Sequence, residues 1–193
     1  MKTILVLLFC LVVGPLSAQL PMITVIGGFG AATICGNESW KDPVGIQFGM
    51  EAPLIALNEN TSVSTGFNVS LQGAGWEEPD FDLEGRVRLT YLNVPVLLTF
   101  QSNSGIYAEI GLQPGLLLSA KDKYNGTTED YKYGVKSFDL GLPAGAGYKL
   151  NEQIAFGIRA TYGITNLDDT GSDISDHNLL VVGIVRYIFE LPD

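Results

Sequence analysis

Residue types that commonly carry catalysis are few in this sequence of 193 residues. His177 is the single histidine and falls in a segment whose pattern is that of a loop, so a Ser-His-Asp arrangement has little support. Cys10 lies in an apolar N-terminal segment, which leaves Cys35 without a partner for an internal disulfide. The sequence contains no Walker loop, dinucleotide fingerprint, zinc-ligand spacing or nucleophile elbow. We therefore expect a protein without catalytic residues, metal or cofactor.

Acidic residues crowd one segment near the end of the chain. These are Asp168, Asp169, Asp173 and Asp176. Carboxylates are the ligands that calcium prefers, but these four do not follow the order of an EF-hand loop. The favoured interpretation is that these four residues form a solvated acidic loop, and the alternative is that they bind calcium.

The longest regular pattern is Ser137–Thr165, in which apolar residues alternate with small or polar ones. Asn151, Glu152 and Gln153 interrupt the alternation as a short polar turn. Successive strand side chains point to opposite faces, so the stretch predicts a β-hairpin with one wholly apolar face. Each strand has about a dozen residues, and a transmembrane strand needs roughly nine to eleven. The hairpin therefore favours a barrel whose apolar face contacts lipid.

Eight runs of this kind follow one another along the chain, and we predict eight strands. They cover residues 22–32, 44–51, 62–72, 87–100, 106–120, 137–150, 154–165 and 178–189. The links after strands two, four and six are short, whereas the others, including 75–86 and 121–135, are long. This strict alternation is typical of an outer-membrane barrel with short periplasmic turns and long outer loops. The predicted fold is all-β: an eight-stranded, antiparallel, up-and-down transmembrane β-barrel.

The fourth strand is the least regular of the eight. Arg88 and Thr90 share their alternation with the apolar Leu92, so we expect a bulge near Tyr91 or a strand that begins at Leu92. Three strands also contain a proline, which cannot donate to the ladder. They are Pro95, Pro114 and Pro143.

The alternation along the strands predicts which side chains face the lumen and which face lipid. Glu109, Asp139 and Arg159 lie on polar faces, and Arg186 is the only charge within the eighth strand, where lipid would be a costly environment. We expect these four to form a charge network in the lumen, with separate hydration of each group as the alternative. The expected lipid-facing residues are Phe156, Ile158, Tyr162, Tyr187 and Phe189.

The N-terminus has the features of a secretory signal peptide. Lys2 precedes an apolar run, followed by Gly14-Pro15 and then Leu16-Ser17-Ala18. We predict a signal peptide at residues 1–18 and a barrel domain at residues 19–193. The net charge of −10 argues against nucleic acid as a partner.

Two of the predicted strands carry ordered motifs, Tyr91–Leu98 (YLNVPVLL) and Ile106–Gly111 (IYAEIG). The first resembles the YLxIPLLL strand of the PorT-like outer-membrane β-barrel family of Gram-negative bacteria, and the second resembles the strand that follows it. Further similar segments are Asp139–Tyr148, Tyr162–Leu167 and Gly183–Phe189. The resemblance implies an outer-membrane location and a barrel architecture. It does not imply one activity, since functions are grafted onto shared folds.

The expected function is non-enzymatic, with a filled lumen and acidic extracellular loops that serve binding, adhesion or membrane integrity. Expected partners are outer-membrane lipid, the barrel-assembly machinery during biogenesis, and an unknown extracellular or secretion partner, with a monomer as the default state. Two alternatives are an accessory component of a protein-secretion system and a soluble, lipocalin-like barrel for a small ligand. The lipocalin-like barrel would turn its apolar face inward.

Overall fold

The computed structural model describes residues 22–35, 44–78, 83–124, 126–167 and 176–190, which form antiparallel strands and their turns. The strands are β1 (Met22–Cys35), β2 (Gly45–Asn58), β3 (Thr61–Glu78), β4 (Leu83–Asn93), β5 (Val96–Gln101), β6 (Ile106–Tyr124), β7 (Thr127–Asp130), β8 (Phe138–Lys149), β9 (Ile154–Gly163) and β10 (His177–Glu190). A 3-10 turn spans Lys132–Gly134. The predicted signal peptide and Asp168, Asp169 and Asp173 lie outside the described residues.

The sheet closes into a ring. β1 pairs with β10 along its whole length, from Met22 opposite Glu190 to Cys35 opposite His177. Around the rest of the ring each strand pairs with its neighbours in the chain. β4 and β5 follow one another as two halves of one barrel strand, and β7 pairs with β6 alone. The ten segments therefore occupy eight positions, and the predicted up-and-down barrel is confirmed.

The break between β4 and β5 falls at Val94-Pro95. Proline has no N–H to donate, so the ladder cannot continue unchanged through this residue. Neighbouring groups bond the break instead: the Val94 N–H donates to the Pro114 carbonyl at 2.9 Å, and the Thr65 hydroxyl donates to the Pro95 carbonyl at 2.8 Å. The strand direction is thereby kept across the proline.

The outer face of the wall carries an apolar band. On β6 the exposed apolar residues run from Ile106 to Leu118, alternating with inward ones. Twelve residue steps at about 3.3 Å give roughly 40 Å along the strand. At a tilt of about 45° this corresponds to roughly 28 Å along the membrane normal, close to the ≈ 25 Å band of outer-membrane barrels. The band therefore fits the hydrocarbon thickness.

Strands β3, β4 and β6 extend further at one end than the sequence predicted. Residues 75–86 and 121–135 were expected to be loops, but β3 continues to Glu78, β4 begins at Leu83, and β6 and β7 form a hairpin. Alternating apolar content marks only the part of a strand within the membrane, so the polar extensions lacked that signal. The two termini of the barrel and its short turns lie at the opposite end.

The irregularity expected near Tyr91 is present, but it belongs to β6. The β4–β6 register shifts between Thr90 and Tyr91, which pair with Ser119 and Leu117, so that Leu118 is the extra residue. The burial alternation of β4 continues unchanged through this point. The prediction of a phase slip within the fourth strand was therefore wrong in its placement.

His177 is the first residue of β10 rather than part of a loop. Its Nδ1 lies 3.0 Å from the Gly163 carbonyl oxygen, and its ring stacks on Tyr162 with centroids 5.5 Å apart. In the described part of the chain there is no α-helix long and apolar enough to cross a membrane.

Candidate functional site: the lumen and its outer mouth

Four buried charged side chains from four strands meet inside the barrel. Arg159 on β9 donates from Nε to Glu109 Oε1 at 2.7 Å and from Nη1 to Glu51 Oε1 at 2.8 Å. Arg186 on β10 donates from Nη2 to Glu109 Oε2 at 2.5 Å and lies 3.7 Å from Glu51 Oε2. Two acids and two bases thus neutralise one another, and Arg159 has no exposed surface. We call these four residues the lumen charge cluster.

The cluster differs from the predicted network in one member. Asp139 is also buried, but it accepts a hydrogen bond from the Asn178 amide at 3.2 Å and makes no ion pair with the cluster. On β8 it pairs with Gly115, whereas Glu109 lies opposite Gly145, six residues further along. At about 3.3 Å per residue the two positions are separated by roughly 20 Å along the strand.

Glu51 was the member that sequence reasoning missed. Its position on the polar face of β2 follows from the alternation with Met50 and Phe48. Its partner Arg159 lies 108 residues further along the chain. Closure of the ring brings β2 and β9 face to face across the lumen. A sequence signal therefore existed for its inward direction but not for its partner.

Gly145 leaves the space through which Glu109 and Arg159 meet. It lies between them on β8, since it is the Cα partner of Glu109 on β6 and of Arg159 on β9. A Cβ atom at this position would lie 2.8 Å from Glu109 Oε1 and 2.8 Å from the Ile158 carbonyl oxygen. The absence of a side chain here is what allows an ion pair between strands that are not direct neighbours.

We expect Gly145→Ala to destabilise the barrel by about 1–3 kcal/mol, because the added methyl overpacks the ion pair and a rigid backbone oxygen. The matched control is Gly27→Ala, at which a Cβ atom would meet nothing within 4 Å. The measurement is urea unfolding of both variants in lipid vesicles. Equal midpoints for the two variants would contradict the role given to Gly145.

Tyr107 covers the lumen charge cluster from β6. Its ring centroid lies 4.7 Å from the Arg186 guanidinium carbon, a cation–π contact. Its hydroxyl donates to the Phe156 carbonyl at 3.4 Å. Gly147 and Gly157 give the ring its place, because a Cβ atom at either residue would overlap the tyrosine. The cluster is therefore enclosed by packing as well as by ion pairs.

Polar amides fill the next level of the lumen. Asn93 donates from Nδ2 to Asn68 Oδ1 at 2.9 Å and to Ser70 Oγ at 3.0 Å. Asn68 in turn donates to Gln113 Oε1 at 3.4 Å, and Gln72 donates to Ser70 Oγ at 2.8 Å. Gln113 is four residues above Glu109 on β6, which fixes the order of the two levels.

An apolar cluster closes the outer mouth. It consists of Ile34, Val87, Leu89, Tyr91, Leu117, Ala120, Val135 and Leu167, with Trp76 and Tyr131 against it. Val135 and Leu167 lie in connections rather than in strands, and the Lys136 N–H donates to the Leu167 carbonyl at 2.8 Å. Val135 and Leu167 therefore point inward from their connections and lie over the lumen. We call this group the mouth cluster.

The five residues expected to face lipid are on the outer surface of the barrel. Exposed fractions are 47% for Phe156, 64% for Ile158, 41% for Tyr162, 39% for Tyr187 and 47% for Phe189. The rings of Tyr187 and Phe189 lie 4.5 Å apart near the short-turn end. Their contact with lipid itself is part of the proposal below.

The described residues include no group of three or more His, Cys, Asp or Glu that could hold a metal ion. At the short-turn end, Lys149 Nζ lies 2.8 Å from Glu152 Oε2. The hydrogen bond and the charge of Lys149 hold the pKa of the Glu152 carboxyl below its usual value. This pair is exposed to water, in contrast to the lumen charge cluster.

Solved structures of small outer-membrane barrels are similar to this chain. Neisserial surface protein A, at 13% identity, aligns with a TM-score of 0.56 over 87% of this chain and 96% of its own. Ail of Yersinia pestis gives 18% identity, 89% and 100% coverage and a TM-score of 0.49. The outer membrane enzyme PagL gives 14% identity, 88% and 99% coverage and a TM-score of 0.44. Identities this low show the fold alone.

No curated protein matches the sequence. The family model of the outer membrane protein beta-barrel domain matches residues 24–169, which is most of the chain. The closed ring and the outward apolar band agree with that match. The protein is located in the bacterial outer membrane, and the chain belongs to the outer membrane protein beta-barrel domain family.

Proposed function

We propose that this protein is a non-enzymatic, non-conducting barrel that serves binding, adhesion or membrane integrity through its outer end. The observation that carries the proposal is the filled lumen. Along β6 alone, Glu109, Gln113 and Leu117 contribute to the lumen charge cluster, the amide level and the mouth cluster in turn. An eight-stranded ring leaves an interior that side chains just fill. Because side chains occupy the lumen, a binding partner would contact the outer ends of the strands and the outer loops.

The four members of the lumen charge cluster contact one another rather than a reacting centre. Glu109 and Arg159, the pair best buried for acid–base work, are bonded to each other. The Asp139 carboxylate is bonded to Asn178. These contacts support a structural role for the inward charges. We also propose that the protein belongs to the narrower PorT-like group, because Tyr91–Leu98 and the motifs after it resemble that group.

The protein should not form steady channels of porin size. We expect planar bilayers containing purified, folded protein to keep their baseline conductance, because three successive levels of side chains fill the lumen. A general porin recorded in the same membranes is the positive control. Large, reproducible conductance steps from the folded protein would contradict the proposal and the interpretation of the mouth cluster as a closure.

The two alternative functions have less support. A lipocalin-like barrel would turn its apolar face inward, whereas Phe156, Ile158 and their equivalents point outward here. Service in a secretion system requires a partner protein, and crosslinking in intact cells followed by identification of the partner would test it. We also propose that the barrel-assembly machinery inserts the protein, that lipid surrounds its apolar outer face and that it is a monomer.

A further inference from the structure

The outer wall carries a group of cations just beyond the apolar band. On the paired strands β4 and β6, Arg88 lies opposite Lys121 and Arg86 lies opposite Lys123. Arg88, Lys121 and Lys123 are exposed, and Arg86 is half-buried. The alternate residues Val87, Leu89 and Ala120 are buried in the mouth cluster, so the cations point away from the lumen.

A fifth cation joins them from the adjacent 3-10 turn. Lys132 donates from Nζ to the Leu118 carbonyl at 3.3 Å, at the extra residue of β6. Among the residues that the structure describes, acids on the same face are fewer. Asp130 lies opposite Lys121, and Glu84 is two residues from Arg86 on β4. We call the five cations Arg86, Arg88, Lys121, Lys123 and Lys132 the basic wall patch.

Like charges placed directly opposite on paired strands destabilise a sheet. Here this occurs twice in succession, in a chain whose net charge is −10 and whose Lys and Arg total 11. Nearly half of the cations are thus gathered on one small face, where Arg88 and Lys121 lie directly opposite each other. A bound anion that contacts both strands would offset this cost.

The position of the basic wall patch along the barrel axis indicates which anion it could bind. The exposed aliphatic residues of β6 end at Leu118, and Lys121 follows three residues later, about 10 Å along the strand. The patch lies at the end of the barrel opposite to the short turns and termini, which is the outer-leaflet side in this architecture. Lipid phosphates lie at this level beside the wall. Arginine pairs with phosphate through two parallel hydrogen bonds, and lysine adds a point charge.

We propose that the basic wall patch binds the phosphate groups of an outer-leaflet glycolipid. The lipid chains lie against Leu116, Leu118 and Leu92 below, and the phosphates lie between Arg88 and Lys121. This inference does not depend on the filled lumen. It assigns a lipid-binding site to the outer face of the wall, whatever the outer loops contact.

The test uses the folded protein in phosphatidylcholine nanodiscs and titrates bis-phosphorylated lipid A or the same lipid with its phosphates removed. We expect saturable binding of the phosphorylated lipid alone. In R88Q/K121Q the apparent Kd should be about thirtyfold weaker, as expected for loss of two cations near an anionic surface. The matched control is Lys149→Glu, which changes the charge by the same two units at the opposite end and should leave the Kd unchanged.

Stability distinguishes the site from a general effect of charge. Without lipid A, R88Q/K121Q should unfold at the same urea concentration as the wild type or a higher one, because it removes like-charge pairs. Lipid A should then stabilise the wild type more than the variant at the same lipid concentration, since a ligand stabilises the state that binds it more tightly. If the variant fails to fold, the comparison of the two lipids with the wild type still decides the proposal.

Three results would overturn the proposal. The first is equal affinity for the phosphorylated and the dephosphorylated lipid. The second is an unchanged Kd in R88Q/K121Q. The third is displacement of lipid A by inorganic phosphate, or by a polyglutamate peptide, at concentrations equal to that of the lipid, which would assign the patch to a free anion or to an acidic protein.

Discussion

Replacing Arg159 by methionine is expected to destabilise the barrel by about 3–5 kcal/mol, the usual cost of leaving a buried charge unpaired. Arg159 has no exposed surface and donates to both Glu51 and Glu109. Its loss leaves two buried carboxylates with Arg186 as their one close cation in the cluster, and Arg186 lies 3.7 Å from Glu51. The measurement is the urea midpoint of folded protein in lipid vesicles. Lys149→Met is the control, because its ion pair with Glu152 is exposed to water and exposed pairs contribute little to stability.

Adding a second substitution to Arg159→Met should raise the stability of the barrel, whereas two unrelated destabilising substitutions would lower it further. Glu51→Gln added to Arg159→Met restores one acid and one base, Glu109 and Arg186. The double variant should therefore be more stable than Arg159→Met alone. If the two costs add instead, the four side chains do not behave as one network, and separate hydration of each group becomes the better description.

Strand number, strand direction and the choice of faces were predictable because each is encoded locally. A period of two identifies which side chains share a face without knowledge of any partner strand. Phe156, Ile158 and Tyr162 are therefore on the outer surface as their alternation indicates. Arg186 points inward for a related reason, since a lone charge in an apolar strand is costly in lipid.

Heights and partners across the ring were not predictable from the sequence. They depend on the stagger of all the strands together, which no single strand encodes. Asp139 and Glu51 show the consequence. Both lie on polar faces, yet only Glu51 reaches the level of Arg159, while Asp139 lies near Asn178 instead. The bulge at Leu118 likewise depends on pairing, because it is defined by the register between β4 and β6.

Charge composition was informative for the whole chain but misleading for one surface. The predicted outer loops are rich in acids, and the net charge is −10. The basic wall patch arises because strands β4 and β6 place Arg86, Arg88, Lys121 and Lys123 on one side and turn Val87, Leu89 and Ala120 to the other. The net charge does not show that the cations lie on one side of these strands, whereas the strand register does.

The second large effect is expected on the lipid face. Ile158→Arg should destabilise the barrel by about 2–4 kcal/mol, the range for a cation at the bilayer midplane on a transmembrane barrel. Ile158 is 64% exposed and lies in the middle of β9, opposite Ala146 on β8 and Gly183 on β10. Neither Ala146 nor Gly183 has a side-chain group that could accept a hydrogen bond from an arginine on this proposed lipid face.

A matched variant distinguishes the effect of membrane depth from the effect of replacing isoleucine by arginine. Ile106→Arg makes the same change at a residue of similar exposure, 58%, at the first position of β6 beside a short turn. A cation there reaches the membrane interface, where its cost falls to about 0–1 kcal/mol. Urea unfolding in phosphatidylcholine vesicles should thus rank Ile158→Arg well below Ile106→Arg in stability. The reverse order, or equal midpoints, would mean that β9 does not cross the bilayer at the depth its apolar band implies.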